Sequence, residues 1–314
     1  MTSTLGRAKL IAIVFHGDLD GVAGAALIAR WAEARGGRWL LFHSTVRGLR
    51  KRLREVVNKL RSGLHGAGIV LVDLAVGSRS DAILYAQLLR GLRAAWFDHH
   101  PWPPGAADYL LRAGVEVYHA RDLVSAELVA RALGLSDEYS RRLVEVAKRD
   151  DTCQPGEGLE DKWRVVLRAL DDPGKAVEAL AAGELWPEWA ERIYEAEAPK
   201  YWGLVEDVAG RLRVYEHDGV KVAVIPMEPS VDVCSVQKAL WKRGWSPDKV
   251  DVEVYVYPRA VSIRSMRVDA SCIARLMGGG GHRRAAGAPL RYSYTDARLA
   301  RQIAMYALKC MEAS

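Results

Sequence analysis

Three polar residues that could bind a metal ion follow a short apolar run in the middle of the chain. The run Ala94–Phe97 leads directly into Asp98, His99 and His100, and Pro101 follows. An apolar run of this length that is stopped by proline predicts a buried strand. The three polar side chains are therefore expected at the carboxyl end of a strand, where open α/β sheets bind their ligands. A carboxylate beside two imidazoles suits a divalent transition metal.

Three other segments end in side chains of the same kind. The apolar run Lys9–Phe15 leads into His16-Gly17-Asp18-Leu19-Asp20-Gly21, the run Gly68–Val72 ends at Asp73, and a helical stretch ends at Asp150-Asp151-Thr152. In an extended His-x-Asp-x-Asp segment, alternate side chains point the same way. We therefore expect these segments to deliver their side chains to one edge of a sheet.

Together the segments supply more ligands than one tetrahedral site can use. The candidates are His16, Asp18, Asp20, Asp73, His99 and Asp151. Mixed imidazole and carboxylate ligands favour Mn, Zn or Fe over Ca or Mg alone, and six are enough for two metals that share one carboxylate. Two metals about 3.5–4 Å apart stabilise the attacking and leaving oxygens of a phosphoryl transfer and activate water near neutral pH. Two points stay open: Asp73 could instead cap a helix, and either Asp150 or Asp151 could be the ligand.

The order of the predicted elements indicates an α/β protein with two domains. From residue 9 to residue 148, strands alternate with helices, which predicts a mostly parallel sheet covered by helices on both faces. Residues 159–206 have a helical pattern, and a second, smaller α/β pattern begins near Arg211. We predict one domain over residues 1–195, a linker over 196–210 and a second domain over 211–314.

Charge and cysteine usage narrow the class of partner and compartment. The formal net charge of +6 favours an anionic partner. The helix predicted over Arg47–Arg61 is strongly basic, so it either guides single-stranded nucleic acid or forms a solvated face with ion pairs. The four cysteines are widely spaced, and residues 1–9 lack the apolar segment of a leader, so we expect reduced thiols and a cytoplasmic protein with no membrane span. His43 and His65 are expected in loops or at strand ends and receive no role.

The motifs taken together resemble those of the DHH phosphoesterase superfamily. The four that resemble its catalytic motifs are His16–Gly21, Asp73, Asp98-His99-His100 and Asp151-Thr152. The glycine-rich stretch Gly278–Gly287, preceded by Ser262-Ile263-Arg264-Ser265, resembles the superfamily's C-terminal DHHA1 domain. The resemblance covers nearly the whole chain and is closest to the short, two-domain oligoribonucleases of the nanoRNase type and the related pAp phosphatases.

This resemblance implies a role for each candidate in the first domain. It implies two Mn²⁺ ions, with Mg²⁺ or Co²⁺ as alternatives. One ion would be held by His16 and Asp18, the other by Asp20, His99 and Asp151, and Asp73 would bridge the two. Asp98 would be a ligand or would orient an imidazole. His100 would contact the scissile phosphate or the leaving oxygen.

In the second domain the resemblance implies a substrate-binding segment. Its residues would be Arg264, Ser265, Gly279, Gly280, Gly281, His282 and Arg283. Glycines let backbone N–H groups approach phosphate oxygens closely, and an arginine can bind a phosphate with two parallel hydrogen bonds. The alternative is a tight glycine turn that serves packing alone.

The activity implied is hydrolysis of short single-stranded RNA or DNA to mononucleotides, removal of phosphate from pAp, or both. The short members of the superfamily commonly pair, so a homodimer is one expectation, and the sequence leaves the oligomeric state open. The alternatives within the superfamily are a RecJ-like single-strand exonuclease and a cyclic dinucleotide phosphodiesterase. An alternative of another class is an inactive scaffold that binds nucleic acid or a replication complex.

Overall fold

The computed structural model describes residues 5–64, 66–154, 158–290 and 295–312, so His65 lies outside the described residues. The chain divides into two compact units, Met1–Glu197 and Ala198–Ser314. Each unit has its own sheet and its own hydrophobic core.

The first unit is built on a five-stranded parallel sheet. Its strands are β1 Leu10–Phe15, β2 Arg38–His43, β3 Gly68–Val72, β4 Arg93–Asp98 and β5 Glu116–His119. Its helices are α1 Leu19–Glu33, α2 Leu49–Gly63, α3 Arg79–Leu89, α4 Ala106–Arg112, α5 Ser125–Leu133, α6 Glu138–Asp151, α7 Leu159–Ala169, α8 Gly174–Ala181 and α9 Glu188–Gly210. The strand order is β2-β1-β3-β4-β5, and all neighbours are parallel, which confirms the predicted sheet.

Helices cover both faces of this sheet because alternate residues of a strand point to opposite sides. Ile11, Ile13 and Phe15 of β1 pack into the core that contains α1, whereas Ala12 and Val14 pack into the core that contains α2 and α3. All five side chains are buried. A strand that is buried on both faces leaves its carboxyl end as the place where polar side chains can meet a ligand.

Helix α9 runs through the division between the two units. Residues 196–210, which we predicted as a linker, form its C-terminal part, and Pro199 lies within it. Neither α9 nor any other described helix combines the length and the apolar composition needed to cross a bilayer.

The second unit contains a six-stranded mixed sheet, which confirms the predicted smaller α/β domain. Its strands are β6 Arg213–His217, β7 Val220–Pro226, β8 Val252–Tyr257, β9 Ala260–Arg264, β10 Gly280–Gly281 and β11 Ala285–Pro289. Its helices are α10 Val233–Lys242, α11 Ala270–Leu276 and α12 Asp296–Glu312. The strand order is β10-β11-β9-β8-β7-β6, and only β7 and β8 pair in parallel.

A disulfide joins Cys272 of α11 to Cys310 of α12, with Cα atoms 6.0 Å apart. The prediction of reduced thiols is therefore wrong, since none of the four cysteines, all of which the structure describes, is free. Cys272 and Cys310 are 38 residues apart in the chain, and they meet because α11 and α12 pack into the same core of the second unit.

Candidate metal centre

The carboxyl ends of β1, β3 and β4 bring predicted ligands to one place. His16 follows β1, Asp73 follows β3, and His99 and His100 follow β4. Hydrogen bonds continue the sheet one residue past these strands, because the backbone N–H of His16 donates to β3 at 3.2 Å and that of Asp73 donates to β4 at 2.9 Å. The backbone of the sheet therefore fixes the positions of His16 and Asp73.

One cluster joins His16, Asp18 and Asp73. Nδ1 of His16 lies 2.8 Å from Oδ2 of Asp18 and 3.5 Å from Oδ2 of Asp73. Each residue offers one ligand atom, and these atoms lie within 4.8 Å of one another. The buried Nδ1 of His16 has no partner with hydrogen-bond geometry among the described residues. An imidazole nitrogen between two carboxylates can bind a metal ion once its proton is released.

A second cluster surrounds Nε2 of His99. This atom lies 3.5 Å from Oδ1 of Asp73, 3.9 Å from Oδ2 of Asp20 and 3.8 Å from Oδ1 of Asp151. Asp73 thus takes part in both clusters, with Oδ2 facing His16 and Oδ1 facing His99. This is the arrangement that the predicted bridging role requires.

Asp73 is held in an uncommon backbone conformation. Its φ is 58°, its side chain is buried, and its Oδ1 accepts a hydrogen bond from Oγ of Ser125 at 2.9 Å. The alternative that Asp73 caps the next helix is excluded, because Ser78 caps α3. A left-handed conformation costs an aspartate on the order of 1–2 kcal/mol, and such strain occurs where function needs it.

Asp20 reaches the second cluster from a helix, so the predicted extended conformation of the His-x-Asp-x-Asp segment is wrong. Helix α1 begins at Leu19, because the Asp18 carboxylate caps it by accepting from the backbone N–H of Gly21 at 3.1 Å. The Asp20 carboxylate accepts from two backbone N–H groups at the start of α5, at 2.7 and 2.8 Å. At position 21 an added Cβ would lie 2.4 Å from the carbonyl oxygen of His16, so the tight entry into α1 requires glycine.

The structure distinguishes the two adjacent carboxylates at the end of α6. Asp151 faces His99, whereas Oδ1 of Asp150 lies 2.5 Å from Nη2 of the buried Arg164. Successive helix residues point about 100° apart, so only one of the two can face the clusters. The geometry supports Asp151, the residue preferred from the sequence.

His100 is oriented by groups behind it. Its Nδ1 lies 2.8 Å from Oδ1 of the buried Asp98, and the indole N–H of Trp102 donates to the other oxygen of Asp98. The carbonyl oxygen of His100 contacts Nε2 of His119 at 2.6 Å, and the His119 ring stacks on Trp102. Both Asp98 oxygens are engaged, so Asp98 is placed to orient His100. Burial opposes the charge on His100, but the Asp98 hydrogen bond and nearby carboxylates raise its pKa to about 10.

Crowding of buried carboxylates shifts the pKa values of both clusters. Burial and the charges of Asp18 and Asp20 hold the pKa of Asp73 well above its usual range. Burial and the charge of Asp151 raise the pKa of Asp20 to about 6. The charge of Asp18 raises the pKa of His16 to about 11. A divalent cation would relieve the repulsion among the carboxylates, so the donor set fits one electrostatically as well as chemically.

No protein-family model and no curated protein sequence matches the chain, but solved structures do. A DHH domain described as a member of a family of ribosomal proteins has a TM-score of 0.66 at 14% identity, covering 98% of this chain and 87% of that one. RecJ from Thermus thermophilus in complex with Mn²⁺ has a TM-score of 0.57 at 17% identity and covers 98% of this chain.

This chain has the DHH fold.

This chain spans about half of that RecJ chain, 53% of its length. PggH from Vibrio cholerae, a pGpG-specific phosphodiesterase, matches along 96% of this chain and 99% of its own length, with 13% identity and a TM-score of 0.52. At identities this low, the likeness establishes the DHH fold alone.

The carboxyl end of β2 also places His43 beside the first cluster, although this residue received no role from the sequence. His43 ends β2, and a Cβ added at Gly17 would lie 2.7 Å from its Nε2. Its ring therefore packs over the backbone between His16 and Asp18. Burial and the charge of His16 lower the pKa of His43. Its position at a strand's carboxyl end, which it shares with the predicted ligands, is the signal that could have found it.

In the second unit, the predicted substrate-binding glycines lie in the hairpin of β10 and β11. The backbone N–H of His282 donates to the carbonyl of Ala285 at 2.7 Å, which leaves Arg283 and Arg284 exposed at the tip. The hairpin is fixed to its surroundings by the carbonyl oxygen of Arg283, which accepts from the N–H of Ala270 at 2.7 Å. The tip therefore presents two guanidinium groups on a fixed backbone.

Close packing explains two of the three predicted glycines. A Cβ at Gly279 would lie 2.1 Å from the carbonyl oxygen of Gly287, and one at Gly281 would lie 2.5 Å from Cα of Ala286. Gly280 has no such neighbour within 4 Å. The packing alternative thus accounts for Gly279 and Gly281, and Gly280 is the position where backbone is open to a ligand.

Arg264 and Ser265 differ in what their side chains do. The Ser265 hydroxyl donates to the carbonyl of Asp251 at 2.7 Å and accepts from the N–H groups of Arg267 and Val268, at 3.1 and 2.8 Å. These bonds hold the turn after β9, so they do not support a substrate contact through Ser265. Nη1 of Arg264 donates to Oγ of Ser262 at 3.0 Å, and its predicted phosphate-binding role stays a prediction.

Proposed function

We propose that this protein is a two-metal phosphoesterase that hydrolyses short single-stranded oligonucleotides to mononucleotides, removes phosphate from pAp, or both. The observation that carries the proposal is the double position of Asp73, whose two oxygens face His16 and His99 at 3.5 Å each. A carboxylate shared by two ligand clusters is the core of a two-metal phosphoryl-transfer site.

Comparison with the DHH-fold proteins supports this choice of chemistry. The RecJ exonuclease has been solved with bound manganese, and PggH is a phosphodiesterase specific for pGpG. Both act on phosphodiester bonds of nucleotides.

The residues present divide between two ions. His16, Asp18 and Asp73 would hold one ion, and a second set would hold the other: Asp73, Asp20, His99 and Asp151. We propose Mn²⁺, because mixed imidazole and carboxylate donors favour it, with Mg²⁺ or Co²⁺ able to replace it. When bound, the ions supply an activated water and stabilise charge on the phosphate oxygens.

His100 supplies a proton donor to the same site. Its hydrogen bond to Asp98 raises the pKa of His100 and so favours the protonated ring. Because Nδ1 faces Asp98, the Nε2–H group remains to contact the substrate. We propose that it donates a hydrogen bond to a phosphate oxygen and a proton to the leaving oxygen. Asp98, held by Trp102, keeps the ring in the orientation for both steps.

The test is digestion of 5′-labelled RNA and DNA, from dinucleotides to twenty-mers, with added Mn²⁺ and with pAp and pyrophosphate in parallel. Mononucleotides from the shortest strands would support the oligonucleotide activity, and phosphate from pAp alone would make the protein a phosphatase. A preference for long strands would favour a RecJ-like exonuclease. No product from any of these substrates, with Mn²⁺ bound, would contradict the proposal and favour an inactive scaffold.

A further inference from the structure

The net positive charge of the chain equals the net charge of one short segment. Residues 47–61 contain seven arginines and lysines and one glutamate, which gives a net charge of +6, and the whole chain also has a formal net charge of +6. The remaining residues therefore carry equal numbers of positive and negative charges. The excess of positive over negative charge thus equals that of this segment, which makes the segment a candidate for binding a polyanion.

The segment forms helix α2 and the turn before it, and its charges line one face. Arg47, Lys51, Arg54, Asn58 and Arg61 follow at steps of three or four residues, and all five are exposed. The opposite, buried face consists of Leu49, Leu53, Val56, Val57 and Leu60. We call Arg47, Lys51 and Arg54 the α2 basic face.

Several of the other cations in the segment already have partners that explain them. Arg50 pairs with Asp81, Arg52 with Glu55 at 2.9 Å, and Arg61 donates to a backbone carbonyl of α3 at 3.0 Å. These residues hold α2 to its neighbours.

The α2 basic face is different. Within the described ranges, no acidic side chain forms an ion pair with Arg47 or Arg54, and Lys51 has only Glu55 at 4.0 Å. Like charges at this spacing on a helix repel one another, so an anion that binds them gains energy by relieving the repulsion.

The first turns of α2, which carry the basic face, are anchored next to the metal centre by Arg52. Nε of Arg52 donates to the carbonyl oxygen of His43 at 2.9 Å, and the His43 ring packs over Gly17, between two of the proposed metal ligands. From there α2 leads away from the edge of the sheet. The helical part of the basic face, from Lys51 to Arg54, is about 4.5 Å long at the rise of an α-helix, and Arg47 extends the face into the turn before α2.

We infer that the α2 basic face binds the phosphate backbone of a single strand whose reacting phosphate lies at the metal centre. The inference rests on the proposed function for the position of that phosphate. Arginine binds phosphate with paired N–H groups, and contacts to the backbone read no base sequence. The substrate is then a strand of several nucleotides rather than pAp, and its length is recognised outside the metal centre.

The test compares two triple variants that remove the same charge. The first, Arg47→Gln/Lys51→Gln/Arg54→Gln, removes the basic face. The control, Lys9→Gln/Arg38→Gln/Arg112→Gln, removes three exposed cations elsewhere in the same unit. Binding of a fluorescent 12-mer and a dinucleotide is measured by anisotropy in EDTA, so that the readout does not depend on turnover. Circular dichroism checks that both variants are folded.

Three phosphate contacts contribute a slope of about −2 to the dependence of log affinity on log salt for a single strand. Between 50 and 200 mM salt, the wild type should therefore lose about 20-fold more affinity for the 12-mer than the first variant. The control should keep the wild-type slope. In turnover assays, the ratio of kcat/KM for the 12-mer to that for the dinucleotide should fall about tenfold in the first variant only.

Equal weakening in both variants would overturn the inference, because diffuse charge would then suffice. Failure of the wild type to bind the 12-mer at low salt would also overturn the inference. The α2 basic face would then bind another anionic partner, such as an acidic protein. Binding that follows the expected pattern without any hydrolysis would contradict the proposed function and leave the inference standing.

Discussion

Replacing Asp73 by Asn removes one buried negative charge and leaves the local backbone conformation in place. Asp73 has a φ of 58°, and Asn is the non-glycine residue, with Asp, that most readily adopts this region. The Asn side-chain oxygen can also accept the hydrogen bond of the Ser125 hydroxyl, whose Oγ lies 2.9 Å from Oδ1 of Asp73 in the wild type. Asp73→Ala lacks this acceptor and tolerates the conformation less well, so it should be less stable than Asp73→Asn by about 1–2 kcal/mol.

Stability and metal binding should change in opposite directions in Asp73→Asn. Burial and neighbouring carboxylates raise the pKa of Asp73, so the wild-type protein in EDTA loses stability as the pH rises from the unfolded value of 3.8 towards the raised folded value. The Asn variant lacks this loss, and the gap between the two melting temperatures should widen with pH over that range. The affinity for Mn²⁺ should fall at least about 100-fold. Mutation of a residue that only orients a metal ligand already lowers metal affinity by about 10–100-fold, and Asp73 is itself a proposed ligand.

The assay is thermal unfolding in EDTA and in Mn²⁺ at 100 times the wild-type Kd. There the wild type should gain about 2.7 kcal/mol from the metal and Asp73→Asn only about 0.4 kcal/mol. Mn²⁺-dependent turnover should be lost in Asp73→Asn although the protein is folded. Near-normal turnover, or an undiminished stabilisation by Mn²⁺, would refute the bridging role.

Three further predictions follow from the same geometry. Asp151→Asn should abolish Mn²⁺-dependent turnover. Asp150→Ala should keep this turnover but lower the free energy of unfolding by about 3 kcal/mol, because the buried ion pair is lost. Activity assays and urea unfolding would show the reverse pattern if Asp150 were the ligand. The pKa of His16 is raised to about 11, so His16 is protonated at pH 7 in the metal-free protein. Mn²⁺ binding should therefore release protons, and the affinity for Mn²⁺ should increase as the pH rises. Calorimetry in two buffers with different ionisation enthalpies measures this proton release, and its absence would contradict the prediction. Replacing Cys272 and Cys310 by Ser removes a disulfide that closes a loop of 38 residues. The free energy of unfolding should fall by about 4 kcal/mol, because the unfolded chain gains conformational freedom. An unchanged denaturation curve would rule out the disulfide in solution.

The parallel sheet and the edge that carries the ligands could be predicted from the sequence because their signals are local. Each apolar run gives a strand, and the His or Asp that follows it lies at the strand's carboxyl end by construction. His16, Asp73 and His99 meet for this reason. The bridging position of Asp73 could be expected only from the number of ligands and from the resemblance, since its left-handed backbone has no signature in the sequence.

Features that depend on contacts between distant segments could not be predicted in this way. The choice between Asp150 and Asp151 depends on Arg164, which belongs to another helix. The disulfide between Cys272 and Cys310 depends on how α11 and α12 pack. His43 gains its place from the absence of a side chain at Gly17, which follows the neighbouring strand.

The apolar pattern of the sequence also does not indicate helix boundaries that depend on prolines or on capping residues. Helix α4 buries only Ala106 and Leu110 along its seven residues, too few to give an apolar period after the prolines that precede it. The apolar pattern predicts that the first helix begins at Val22, but α1 begins at Leu19, because the Asp18 cap fixes its first turn. This shift moves Asp20 from an extended segment to the helix and so to the second ligand cluster.

A titration of Mn²⁺ into metal-free protein tests whether two ions act together at Asp73. Bound Mn²⁺ and the rate of dinucleotide hydrolysis are measured in the same samples. We predict that two ions bind per chain and that the rate rises with the second equivalent. Full activity with one ion or none, or two bound ions without hydrolysis of any oligonucleotide or of pAp, would contradict this prediction.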